Sequence, residues 1–181
     1  VREDISRAAV RSAGRGDALP FEACREPNAF SDAEQTMSKP KIIPQDQRPA
    51  PLNVGGFMIS VLASVAETGA NEFFHQSGAQ GKGPGPHFHP WDETFFVLKG
   101  ELHCGVDGVE TVLTAGAMMH VPGGSTHWFR FGEGGGELLA ITSKGNAAAM
   151  FTEFDKGINW ESPDRTELIA IAASHGQTIV P

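Results

Sequence analysis

Between residues 57 and 142 the chain is broken into short runs of β-branched and aromatic residues with glycine or proline every few positions. This punctuation leaves no room for long helices and points to a succession of strands. The runs cover 57–65, 72–75, 94–98, 102–106, 111–113, 118–121, 126–131 and 137–142. So many short strands at close spacing predict a sandwich or a barrel. Asp107-Gly108 lies between two runs, and both residue types tolerate the positive φ of a tight hairpin turn, so the flanking strands are predicted to be antiparallel.

A length of 181 residues suits one domain with a full hydrophobic core and is too short for two ordinary ones. The formal charge of -8 and a pI near 5.3 argue against nucleic acid or an anionic membrane as partners, since neither is drawn to a net-negative surface without a basic patch. No apolar run is long enough to cross a bilayer, and the first residues lack the apolar stretch of a secretory signal, so the expected location is cytoplasmic. Cys24 and Cys104 lie far apart in segments of different composition. Neither a disulfide nor a thiolate metal site is expected, and Cys104 reads as a small buried hydrophobe.

Residues 1–36 lack a sustained apolar period and are expected to be disordered, or to be a mis-assigned leader ahead of a start at Met37. An arm docking on a neighbouring subunit is the rival reading. Prolines at 40, 44, 49 and 51 predict an extended strap over 37–53, followed by a barrel over 54–143. Beyond Thr142 the period lengthens. A helix is predicted over 146–154, and a second opens at Ser162-Pro163-Asp164 with a hydroxyl cap, buries Leu168, Ile171 and Ala172, and stops at Gly176. The tail 144–181 is expected to pack these helices on the outside of the barrel, so that 37–181 forms one domain.

Three histidines and one carboxylate carry the chemistry. His87 and His89 are two residues apart, which in a strand puts both imidazoles on one face. Glu93 follows beyond Pro90, whose bend lets the carboxylate turn back toward them, and His127 begins a later strand just after the Pro122-Gly123-Gly124 turn. Together the four are predicted to hold one divalent transition metal, and this donor set suits Fe, Mn, Ni, Co, Cu or Zn without choosing among them. Alternation places Phe95 and Val97 on the face of Glu93, and Phe129 and Phe131 on that of His127. These four are the candidate substrate-binding walls, though each also suits plain barrel core. His75, His103, His120 and His175 read as solvated or capping residues.

The spacing Gly81, His87, His89, Glu93, Gly100 matches the first cupin motif in full, and Gly116, Pro122, Gly124, His127 match the second, with Phe131 where the family often has Asn. The chain thus resembles the cupin superfamily, which implies a double-stranded β-helix, or jelly roll, around the metal. Loss of the Asn removes a polar group near the barrel wall but none of the ligands. Over residues 42–181, His127-Trp128-Phe129-Arg130, Met150-Phe151, Pro163-Asp164, His175-Gly176 and the final Pro181 also look like single-domain relatives of quercetin 2,3-dioxygenase.

That resemblance implies a metal-dependent dioxygenase using dioxygen on a small enolic or aromatic substrate, with Glu93 doubling as a catalytic base. Two alternatives stay open: a non-redox isomerase or lyase, and a small-molecule-binding module without turnover. A homodimer is expected, because pairing across a two-fold axis covers exposed sheet edges.

Overall fold

The computed structural model describes residues 39–181, so the expectations for the first 36 residues lie outside the described part. The described residues run through nine strands: β1 (Leu52–Val54), β2 (Phe57–Ala63), β3 (Glu72–Gly78), β4 (His87–Phe88), β5 (Glu93–Val106), β6 (Val109–Thr114), β7 (Met118–Val121), β8 (His127–Thr142) and β9 (Thr178–Ile179). One helical turn, α1 (Val65–Thr68), follows β2, and α2 (Ala147–Gly157) and α3 (Arg165–Ser174) precede β9. All pairings are antiparallel. The sheet runs β1-β2-β3-β8-β4-β9, and β5 pairs with β6, β7 and β8. This is a curled, jelly-roll-type all-β fold.

The ribbon of β5 and β8 forms its spine. Glu93 pairs with Thr142 at one end and Val106 with His127 at the other. The predicted strands 94–98 and 102–106 are one strand, as are 126–131 and 137–142. The sequence reads as broken because the register shifts at Val97/Lys99 and at Gly100/Leu102. These irregularities reset the alternation: Glu93, Phe95 and Val97 point inward before them, Leu102 and Cys104 after. Such bulges also increase twist, which bends a long ribbon around a core. Gly100, the last glycine of the first motif, sits at φ 76 against this bend, and a Cβ there would run into the Gly135 carbonyl oxygen. The predicted hairpin forms at Asp107 (φ 49) and Gly108 (φ 83), with Val106 paired to Val109.

Other boundaries move for local reasons. β2 ends at Ala63 rather than at Val65, because the Glu67 carboxylate accepts the Ser64 backbone N–H at 2.9 Å and starts a helical turn. The strap is extended apart from a 3-10 turn at Gln45–Gln47, and its end already pairs as β1. The first tail helix runs three residues past Phe154. The second is capped by Asp164, which accepts from the Thr166 N–H at 2.7 Å, and not by Ser162. No helix among the described residues is long and apolar enough to cross a membrane.

The tail helices lie outside the sheet, but against its open mouth rather than on its outer face. Phe74, inward-facing on β3, meets Phe151 of α2 edge-on at 5.2 Å, and Met150 and Phe154 are buried beside it. β9 then pairs with β4, setting Ile179 opposite His87. The tail therefore walls one side of a partly open cavity of about 390 Å³.

Candidate metal centre

The four predicted ligands meet at one end of this cavity. His87 of β4 lies directly opposite His127 of β8, and Glu93 opens β5 where it pairs with Val121 of β7. The turn before His127 is tied to the bend before Glu93: the Gly124 N–H donates to the His89 carbonyl at 2.7 Å, and the Gly123 N–H to the Asp92 carboxylate at 2.9 Å. Potential ligand atoms of the four side chains all lie within 4.8 Å of one another, and all four residues are buried.

Each imidazole is oriented by its own backbone. His87 Nδ1 lies 2.8 Å from the Gly85 carbonyl, His89 Nδ1 2.8 Å from the Trp91 carbonyl, and His127 Nδ1 3.0 Å from the Ser125 carbonyl. A carbonyl only accepts, so each ring donates from Nδ1, and in the neutral form its Nε2 presents a lone pair. Trp91 stacks on the His89 ring at 4.3 Å and 6°. Glu93 Oε2 faces His89 Nε2 at 3.0 Å and His127 Nε2 at 3.4 Å. The second separation brings charge close without a hydrogen bond, leaving the fully buried His127 Nε2 unpartnered among the described residues.

Lone pairs and a carboxylate converging in a buried space repel one another unless a proton or a cation lies between them. Three such nitrogens and one carboxylate oxygen are compatible with a divalent transition metal, with the backbone carbonyls as the outer support that such centres require.

The electrostatics agree. Burial pushes the His87 imidazole down to about 4, with His127 adding to the effect, so His87 is neutral and ready to ligate at physiological pH. Burial alone would raise the Glu93 carboxyl, but facing His127 and His89 outweighs it and holds the group at about 2. Burial likewise opposes charge on His127, and Glu93 overrides it, moving that imidazole above its ordinary value. Protons therefore compete with a metal at His127 before His87, and at Glu93 only at still lower pH. Metal affinity is expected to fall as pH drops through and below the ordinary histidine range, about 6.5, toward about 4. Titration against a competing chelator at several pH values checks this, and a flat profile would exclude imidazole ligation.

Of the predicted walls, Phe95 and Phe129 line the cavity, their rings 5.4 Å apart and edge-on. Val97 and Phe131 do not line it. Both are buried in the core, where Phe131 packs edge-on against Phe129 at 5.5 Å and fills the space beside Gly78 and Gly136. Val97 and Phe131 were expected beside the substrate and instead lie off this cavity: inward alternation puts a side chain in the interior without saying which part of it is hollow. The remaining walls come from Gln76 on β3 and from places that strand periodicity does not mark, namely Trp91, Trp160 and the apolar face of α2. Gln76 alternates with Glu72 and Phe74, a signal present in the sequence.

Away from the centre, His103 and His120 are exposed, with His120 Nδ1 2.9 Å from the Thr94 hydroxyl. His75 pairs with Glu137 at 3.0 Å, and His175 ends α3 against Glu153 at 2.6 Å. Cys104 is fully buried.

Residues 74–142 match the family model described as Cupin domain. Among solved structures the chain is similar to an RmlC-like cupin from Shewanella frigidimarina NCIMB 400, at 26% identity and a TM-score of 0.52 over 59% of this chain and 94% of that one. A predicted oxalate decarboxylase from Thermotoga maritima shares the fold at 18% identity and a TM-score of 0.53, over 57% of this chain and 98% of that one. The polyketide cyclase RemF from Streptomyces resistomycificus does so at 18% identity and a TM-score of 0.51, over 58% and 80%. No curated protein matches the chain in sequence. Motif spacing, curled sheet and family match agree that residues 74–142 are similar to a cupin domain.

Proposed function

We propose that the chain is a metal-dependent dioxygenase acting on a small enolic or aromatic substrate. The observation that carries this reading is the position of the His87, His89, Glu93 and His127 cluster at the end of a partly open and mainly apolar cavity of about 390 Å³, a size suited to one small organic molecule. A divalent ion held there supplies Lewis acidity and open coordination positions. The protein supplies the rest. Phe57, Phe95, Phe129 and Met150 form apolar walls that favour a planar, weakly polar molecule and exclude water. Glu93 is the only Asp or Glu side chain on the cavity lining among the described residues, and its carboxylate is ionised throughout the physiological range. It is therefore the group in position to accept the proton of a substrate hydroxyl.

The test is an oxygen-electrode screen of flavonols and diketones with natively purified protein of known metal content. Oxygen consumption that depends on substrate, disappears on chelation and returns with added metal is the expected result. Turnover that proceeds without oxygen would replace this reading with an isomerase or lyase, and binding without turnover would replace it with a sensing or carrier role.

A further inference from the structure

The loop that carries the chain from β3 into β4, residues 79–86, is held against β8 at two points. The Gly81 N–H donates to the Phe131 carbonyl at 2.8 Å, and the Phe131 N–H to the Lys82 carbonyl at 2.9 Å. Further on, His87 pairs with His127. Between these anchors no backbone hydrogen bond joins the loop to β8. Two of the residues there, Pro84 and Pro86, have no N–H to donate.

Arg130 bridges that gap. It follows the inward-facing Phe129 on β8, so its half-buried side chain starts from the outer side of the strand. Its Nη1 faces the carbonyl oxygens of Gly83 at 2.8 Å, of Phe129 at 2.7 Å and of Pro84. None of the ion pairs among the described residues includes Arg130, so its charge is committed to backbone carbonyls and not to a carboxylate. Gly83 permits the close approach: its φ is 142, and a Cβ there would run into the Phe129 carbonyl oxygen.

On the far side of Gly85, the Pro86 carbonyl accepts the Val180 N–H at 2.9 Å. Gly85 thus lies between two held carbonyls, Pro84's and Pro86's, and its own carbonyl lies 2.8 Å from His87 Nδ1. A glycine has the widest backbone freedom, so the direction of that carbonyl depends on what holds its neighbours. The carbonyls that orient His89 and His127 belong to Trp91 and Ser125, which Arg130 does not touch.

We propose that Arg130 is a positioning residue for the metal centre. By holding Gly83 and Pro84 against β8, it aims the Gly85 carbonyl at His87 Nδ1 and so fixes the tautomer that offers Nε2 to the metal. It acts on the centre only through His87. The inference rests on the metal reading of the cluster and not on the proposed oxygen chemistry.

Zinc, which is diamagnetic, tests this in Arg130→Met, a variant that keeps an apolar stem and loses the donors. In the zinc-loaded wild type, proton–nitrogen NMR is expected to show all three ligand imidazoles protonated at Nδ1. In Arg130→Met the His87 Nδ1 proton should shift or be lost to exchange with water, while those of His89 and His127 stay in place. Competition with a chelator should show zinc bound about tenfold more weakly, the lower end of the range for losing an outer-sphere partner. Arg130→Gln, polar but too short to reach the loop, should behave the same way and takes over if the methionine variant does not fold. If neither folds, Arg130 is needed for the fold itself and the proposal falls. An unchanged His87 signal, an equal disturbance of all three imidazoles, or unchanged zinc affinity overturns the assignment of Arg130 and leaves the metal centre intact. Wild-type protein that binds no zinc removes the metal reading and this inference with it.

Discussion

Replacing His127 with alanine is expected to abolish metal retention, with elemental analysis of the purified variant showing almost no metal per chain. His127 is fully buried, its Nδ1 is committed to the Ser125 carbonyl, and its Nε2 has no other partner in the described structure. No neighbouring side chain can take its place, because the pairing of β4 with β8 puts this residue and His87 directly opposite each other. Losing an outer-sphere partner of a metal ligand already costs roughly 10–100-fold in affinity, so losing the ligand itself should exceed that range. The loss also removes one of the two imidazoles that stabilise the Glu93 charge. His103→Ala and His120→Ala serve as controls, since both residues are exposed, and each should keep the full metal content. Circular dichroism should show the β-sheet signal retained in His127→Ala. Wild-type metal content in that variant would place the metal somewhere other than this centre.

The second large effect concerns stability. Glu72 is 1% exposed at the start of β3 and has no cationic partner among the described residues. Its carboxylate accepts the Ala147 N–H at 2.9 Å and lies 3.4 Å from the N–H groups of Ala148 and Val65 and 3.5 Å from the Thr142 hydroxyl. It thus serves as a non-local cap at the starts of both α1 and α2, where unpaired N–H groups and the helix dipole favour an anion. The residue in the usual capping position of α2, Asn146, has its side chain engaged with His175 instead. Glu72→Ala leaves these buried donors unpaired and is expected to cost about 3 kcal/mol, or roughly 6–12 °C in Tm for a chain of this size. Glu72→Gln keeps one accepting oxygen and should fall between wild type and Ala. The exposed Glu133→Ala should shift stability by no more than about 0.5 kcal/mol. Urea unfolding measures all three. Because α2 carries Met150 and Phe151 onto the cavity, a Glu72→Ala protein with unchanged stability would mean that the tail is held by apolar packing alone.

Much of the centre was legible before any coordinates. Pro90 and the Pro122-Gly123-Gly124 turn announce where the chain bends, and the residue types at His87, His89, Glu93 and His127 announce a metal. These signals are local: a φ restriction or a side-chain donor acts through its own position. The cavity walls were half legible. Phe95 and Phe129 were found by alternation, whereas Val97 and Phe131 obey the same alternation and fill core instead. Gln76 was passed over because its run was read as ending at His75. The tail was legible as two helices with apolar faces, but an apolar face says only that it must be buried, not against which surface. That surface proved to be the barrel mouth.

The candidate ligands, the turns and the β-rich class could be read from residue types and spacing, since each follows from properties of residues close together in the chain. That the four side chains meet follows from the folding of the sheet. In a flat ribbon with the observed register, Glu93 and the strand position of His127 would lie roughly 40 Å apart. In the folded chain the carboxylate and the imidazole stand 3.4 Å apart. Twist, two register shifts and burial of the inward faces of β5 and β8 around one core close that distance. Each is a cooperative property of paired strands and of no single stretch of sequence.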